Sequence, residues 1–171
     1  MANDDSPLRR ALRHTLLRDL KSLEAQIGAY PDDESVWRVV PGITNSAGTL
    51  ALHMAGNLRH FFGAVLGESG YVRDRAGEFS SRNIDREDVI TEVRLAAADV
   101  SAALDRMDDD RLAAAYPLPV AERNVGTGEF LVHLAGHLTY HLGQVDYHRR
   151  ILTNDAKPVD NLSVKELPLA D

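Results

Sequence analysis

The chain has 171 residues, with 26 acidic against 19 basic side chains, a net charge of −7 and no cysteine. Without thiols there are no disulfides, thiolate metal ligands or cysteine nucleophiles, so any metal would have to be held by histidine and carboxylate. The acidic balance argues against nucleic acid, which is bound by neutralising phosphates, and no apolar run approaches the ~20 residues that cross a bilayer.

The length suits one domain, residues 1–171, with a core large enough to need no staples. The opening MANDDSPLRR lacks the basic-then-apolar order of a signal peptide, so a soluble cytoplasmic protein is expected. Ser6 and Pro7 predict the start of a first helix, as N-cap and first helical residue. Leu8, Leu12, Leu16, Leu20, Leu23 and Ile27 then recur at helical spacing until Gly28 and Pro31. His14 lies off that stripe and is expected at the surface. Residues 31–45 read as a connection whose Trp37 packs over one end of the core.

Asn45 or Ser46 is placed to cap a second helix over residues 47–66, with Leu50, Met54, Leu58, Phe61 and Val65 as its apolar face. His53 sits at the edge of that face, followed by Asn57 and His60. Residues 67–83 are polar and glycine-containing and read as a long loop. Its Arg73 and Arg75 could grip an anion, but solvated surface charge is the simpler reading. A third helix is expected from Asp85 to about residue 107, burying Ile90, Val93, Leu95, Ala97, Val100 and Leu104. Asp108, Asp109 and Asp110 form a solvated acidic tip. Two prolines mark residues 113–124 as a second connection, with a short extended piece near 118–120.

Thr127 is the expected N-cap of a last helix, in which Leu131, Leu134, Leu138, Leu142 and Val145 face the core. Beyond Asn154 no period survives, and the tail is expected either to be disordered or to lie across the helices or a neighbouring subunit. Four helices with two long connections predict an all-α four-helix bundle over residues 7–153, with a C-terminal tail at 154–171.

His133, His137, Tyr140, His141, Gln144 and His148 share a second stripe on the last helix. Histidines four apart have Cβ atoms about 5–6 Å from each other, close enough to share an ion. His133 with His137 and His137 with His141 both qualify, and His53 is the natural third ligand from a facing helix. Such a site leaves one position open, where an ion among neutral ligands lowers the pKa of a bound water or thiol. Asn57, Tyr140 and Gln144 are placed to orient ligands or substrate. The glutamate that zinc peptidases carry after the first histidine is absent, since Leu138 stands there. Spacing alone leaves both a metal site and ordinary hydrogen-bonded or surface histidines open.

The segment HLTYHLGQVDYHRR (137–150) is similar to the H-x-x-x-H-x-G-Q signature of the DinB/YfiT superfamily, and LALHMAGNLRHFFG (50–63) resembles its single-histidine segment. The resemblance implies an up-down-down-up four-helix bundle, usually a homodimer, with a divalent ion such as zinc or nickel. By position it implies His53, His137 and His141 as ligands and leaves His133 and His148 as neighbours. It also implies metal-dependent chemistry with a low-molecular-weight thiol, such as bacillithiol or mycothiol. Leu142 departs from the basic residue that often precedes Gly-Gln. A metal-dependent enzyme activating a thiol or water is therefore expected, with thiol S-transfer favoured. The competing expectation is a non-catalytic metal- or small-molecule-binding bundle of stress-response type.

Overall fold

The computed structural model describes residues 6–160 and Leu167; the first five residues and the remainder of the tail lie outside the described residues, and with them the signal-peptide expectation. Helix α1 spans Pro7–Gly28 and begins as its sequence predicts, with the Ser6 hydroxyl accepting from the Arg9 N–H at 3.3 Å. Leu12, Leu16, Leu20, Leu23 and Ile27 are all buried, whereas Leu8 in the first turn is exposed. His14 departs from expectation. It is half-buried, and its Nε2 is enclosed without a hydrogen-bond partner.

The first connection contains a short helix α2, Asp33–Trp37, capped by Asp32, whose carboxylate accepts from the Ser35 N–H at 2.8 Å. Trp37 is buried against α3 at Gly48, where a Cβ would come within 2.9 Å of the indole ring. Its Nε1 donates to the Ile84 carbonyl at 2.8 Å, which satisfies its one polar atom.

Helix α3 spans Ala47–Leu58, capped by Ser46, and continues as a π-helix over Arg59–Leu66. The wider turns of i→i+5 bonding carry the apolar face onto a different register. Phe62 and Leu66 are therefore buried, while the expected Phe61 and Val65 are only partly buried.

The expected long loop after α3 holds helix α4, Arg75–Ser80, started by the Asp74 carboxylate on the Gly77 N–H at 2.8 Å. Helix α5, Arg86–Asp105, buries Val89, Val93, Ala96, Val100 and Ala103; Leu95 faces solvent, so the predicted stripe was displaced by one residue there. Asp108 caps a further short helix α6, Asp109–Ala113, though the three aspartates are exposed as expected. The second connection carries two isolated bridges, Ala115 to Gly126 and Val120 to Arg123, and no strand forms among the described residues.

Helix α7 spans Thr127–Thr153 with Gly126 rather than Thr127 at its N-cap, and the Thr127 N–H, inside the first turn, is bonded to the Ala114 carbonyl at 2.9 Å. Leu131, Leu134, Leu138, Leu142 and Val145 are buried as predicted. The architecture is all-α: α1 packs against α5 and α7, and α3 packs against the same two helices and α4.

A polar seam crosses the α1–α7 contact. Buried Asp19 accepts hydrogen bonds from Arg18 and from the Thr139 hydroxyl, and Gln26 donates to Asp146 at 3.1 Å. Arg149, 2 % exposed, donates to Gln26 at 2.8 Å and to the Lys157 carbonyl at 2.9 Å. Gln26 and Ser22 also donate to the carbonyls of Val159 and Asp160, so this part of the tail lies across α1 and α7. No helix among the described residues is long and apolar enough to cross a membrane.

Candidate metal centre

Helix α3 presents His53 from a buried face, and α7 presents His137 and His141 from consecutive turns, both half-buried. The α3–α7 contact brings the three rings together. One nitrogen from each lies within 4.8 Å of the other two, and no other such group of potential ligands occurs among the described residues. The Nε2 atoms of His137 and His141 are 3.0 Å apart. Two nitrogens about 2.0–2.1 Å from one tetrahedral ion would stand roughly 3.3 Å apart, close to this separation.

Hydrogen bonding fixes the tautomers of two rings. The His53 Nδ1–H donates to Glu78 Oε2 at 2.9 Å, and the His141 Nδ1–H donates to Gln144 Oε1 at 2.6 Å. With Nδ1 protonated, each ring keeps its Nε2 lone pair free, the arrangement by which a carboxylate or amide orients a metal-binding imidazole. Burial lowers the pKa of His137 to about 4, helped by the neighbouring His141 and His53. Burial also lowers His141, against the opposing hydrogen bond to Gln144. Neutral imidazole is the metal-binding form, and it suits zinc and nickel. The cluster could therefore hold a divalent ion.

Glu78 was not among the residues expected from sequence. It is buried on α4, and its carboxylate also accepts from Arg73 Nε at 2.7 Å and Nη2 at 2.9 Å. Burial alone would raise its pKa, but the bonds from His53 and Arg73 outweigh burial and hold it below the usual carboxylate value. Arg73 is thus an ion-paired, half-buried side chain and not a solvated one. Arg75 is exposed, its guanidinium 5.2 Å from the Phe79 ring centre. A Cβ on Gly56 would overlap the Glu78 carboxylate, so glycine on α3 makes room for the acid that holds His53. The one sequence signal for this arrangement was an N-cap residue, Asp74, four positions before Glu78.

The other expected residues divide. Gln144 holds His141. Asn57, one turn beyond His53, is buried with its Oδ1 lacking a hydrogen-bond partner. His133 is exposed and stacks on His137 with ring centres 6.2 Å apart, and exposed Tyr140 lies 5.2 Å from the His141 ring. His148 does not join the cluster. It is buried, donates from Nε2 to the Arg38 carbonyl at 2.8 Å, and accepts at Nδ1 from the Tyr30 hydroxyl at 2.6 Å. Its place on the histidine stripe follows from helix spacing, but its partners make it a core residue.

No curated protein matches the chain, and no solved structure does. The family described as mycothiol S-transferase matches residues 11–154, a span that contains all three clustered histidines, Glu78 and Gln144. The chain belongs to this mycothiol S-transferase family, within the DinB/YfiT-like superfamily.

Proposed function

We propose that the protein is a metal-dependent thiol S-transferase in which His53, His137 and His141 hold one divalent ion, zinc or nickel. The supporting observation is the convergence of three imidazoles, with Nδ1 of His53 and of His141 each bonded to a neighbouring acceptor. A divalent ion held by His53, His137 and His141 would keep its full charge among neutral ligands, and would supply the lowered thiol pKa that makes thiolate available near neutral pH.

The chain's own residues do the remaining work. Glu78 and Gln144 hold His53 and His141 in the required tautomers, and the Phe79 ring, 4.8 Å from His53, covers that imidazole. Arg73 offsets the negative charge of Glu78, so that the acid orients His53 without adding net negative charge. His133, stacked on His137, and Tyr140, against His141, lie beside the cluster, and with Asn57 they are the residues assigned to orient the cosubstrate. In the transfer, sulfur bonds to the electrophilic carbon as the carbon–leaving-group bond breaks. The leaving group keeps the electron pair, and the thiol proton passes to solvent. A thiolate needs no neighbouring general base. An up-down-down-up four-helix bundle forming a single domain, a homodimer and a cytoplasmic location belong to the same proposal.

Protein purified without a histidine tag is expected to carry one divalent ion per chain by elemental analysis, and His137→Ala is expected to lose it. The variant should also lose transfer from low-molecular-weight thiols to an aryl halide, while keeping its helical circular dichroism. Metal-free wild-type protein, or full metal in His137→Ala, would overturn the ligand assignment. A metal-loaded protein inert with every thiol and water-dependent substrate would leave a non-catalytic binding protein.

A further inference from the structure

Helix α7 turns one apolar face away from the core. Val132, Tyr140, Tyr147 and Ile151 on that face are 51 %, 65 %, 69 % and 62 % exposed. Together with the exposed Gly136 and Gly143 they fall within an arc of about 100°, opposite the buried leucines. An amphipathic helix normally reserves this side for charge. Between Val132 and Ile151, however, no exposed position of α7 is charged, in a chain whose net charge is −7. The exposed positions of α5, by contrast, carry Glu87, Asp88, Arg94 and Asp105.

Glycine weakens a helix interior, so each one there needs a reason. Gly48, Gly56 and Gly63 have one, since a Cβ at these positions would come within 2.9 Å of Trp37, Glu78 or Asp99. At Gly136 and Gly143 a Cβ would meet nothing within 4 Å, so nothing in the described chain requires glycine at either. Positions 136, 140, 143 and 147 are spaced four, three and four apart, the heptad spacing of a seam between two helices.

This seam is complementary to itself when run antiparallel. About a two-fold axis between Tyr140 and Gly143, each Tyr140 faces the partner's Gly143, each Gly136 the partner's Tyr147, and each Val132 the partner's Ile151. Every tyrosine then meets a glycine, large against small. A slide of one heptad breaks the match, setting Tyr147 on the partner's Glu129 in one direction and Tyr140 on the partner's Arg150 in the other. A parallel pair in register would set tyrosine on tyrosine and glycine on glycine. The charges agree with the antiparallel arrangement: Glu129 in the first turn of α7 comes within about one turn of the partner's Arg150 in the last, and the helix dipoles oppose. Four large exposed side chains from each of two protomers supply on the order of 1,000 Å², the size at which specific interfaces begin.

We infer that this face of α7 pairs antiparallel with the same face of a second copy of the chain, and that the partner's Tyr147, seated over Gly136, stands beside His133 and His137. Each candidate metal centre is then walled on its α7 side by the other subunit. This pairing takes from the reading above only its homodimer and adds the face, the register and a partner residue at the site. It does not depend on the S-transfer chemistry.

Two measurements on the full chain test the pairing. In sedimentation, wild type is expected to be a dimer. Tyr147→Glu, at a position 69 % exposed, should keep its helical circular dichroism and raise the dimer dissociation constant by about thirtyfold or more. A monomeric wild type overturns the inference and the homodimer with it, whether the chain's own tail or another protein covers the face. A Tyr147→Glu variant as firmly dimeric as wild type overturns the face and leaves the homodimer standing. The absence of native cysteine allows a second, independent readout by disulfide formation. Residues 136 and 147 lie about 16 Å apart along one helix, too far for a bond within a chain, where Cα atoms must approach to about 7 Å or less. Under mild oxidation Gly136→Cys/Tyr147→Cys should therefore form a covalent dimer, and neither single variant should. No covalent dimer from the double variant, or covalent dimers from the single ones, as a parallel pair would give, overturns the inference.

Discussion

His53 depends on an acid that comes from another helix, and this gives a residue-scale prediction. Glu78→Gln keeps the size of the side chain but replaces a charged acceptor with a neutral one. Removing such partners typically weakens metal binding about 10- to 100-fold. A competition titration against a chromophoric chelator should show a loss of that order, and unchanged affinity would sink the orienting role. Gly56→Ala tests the same contact from the other side. Alanine in a helix interior normally stabilises by roughly 1 kcal/mol relative to glycine. Here its methyl group would displace the Glu78 carboxylate, so the melting temperature should not rise and metal affinity should fall as in Glu78→Gln. A stabilised variant with full affinity would show that the close approach does not matter. The clustered histidines themselves were legible, because two lie four apart on one helix and the third beside an apolar stripe. Glu78 was not. It sits 25 residues from His53 on a six-residue helix containing a glycine, too short to show a hydrophobic period.

At the scale of elements, the long helices α1, α5 and α7 were readable from their leucine and valine spacing, and α3 was readable up to Leu58. The π-helix that follows was not, since its apolar residues fit an α-helical period as well. The seam between α1 and α7 was equally hidden. Asp19, Ser22 and Gln26 look like solvent-facing positions until Thr139, Asp146 and Arg149, more than a hundred residues away, bury them. Arg149 is the centre of that seam and joins both helices to the tail. Arg149→Met keeps the apolar stem but leaves Gln26 Oε1 and the Lys157 carbonyl without their donor. Breaking a buried charged network by removing one partner costs about 3–5 kcal/mol. The variant should melt well below wild type, and amide exchange over residues 155–160 should speed up selectively. Unaltered protection of those amides would mean that the seam does not fasten the tail.

For the whole molecule, the main consequence of these packing choices is a dependence of stability on pH. His148, on α7, is buried against Tyr30, just beyond α1, and the Arg38 carbonyl, and burial pushes its pKa below the ordinary value of 6.5 against the bond to Arg38. A lowered folded-state pKa means that the unfolded chain binds the proton more readily. The stabilising contribution is therefore complete above the unfolded pKa and is lost as pH falls from about 6.5 toward the folded value. The metal-free protein should melt at progressively lower temperature from pH 7.5 to pH 5.5, by roughly 2–4 °C per kcal/mol for a chain of this size. His148→Gln retains a donor for the Arg38 carbonyl but has no proton to gain. Its melting temperature should be lower at pH 7.5 and should fall less steeply on acidification. His137 and His141 are pushed down too, and they keep part of the slope in both proteins, so the difference between the two slopes reports His148. Parallel slopes would show that His148 is not held neutral by the fold. The Asp32 and Glu78 carboxylates, both lowered, act only below their unfolded values near 4, outside this window, and leave the comparison undisturbed.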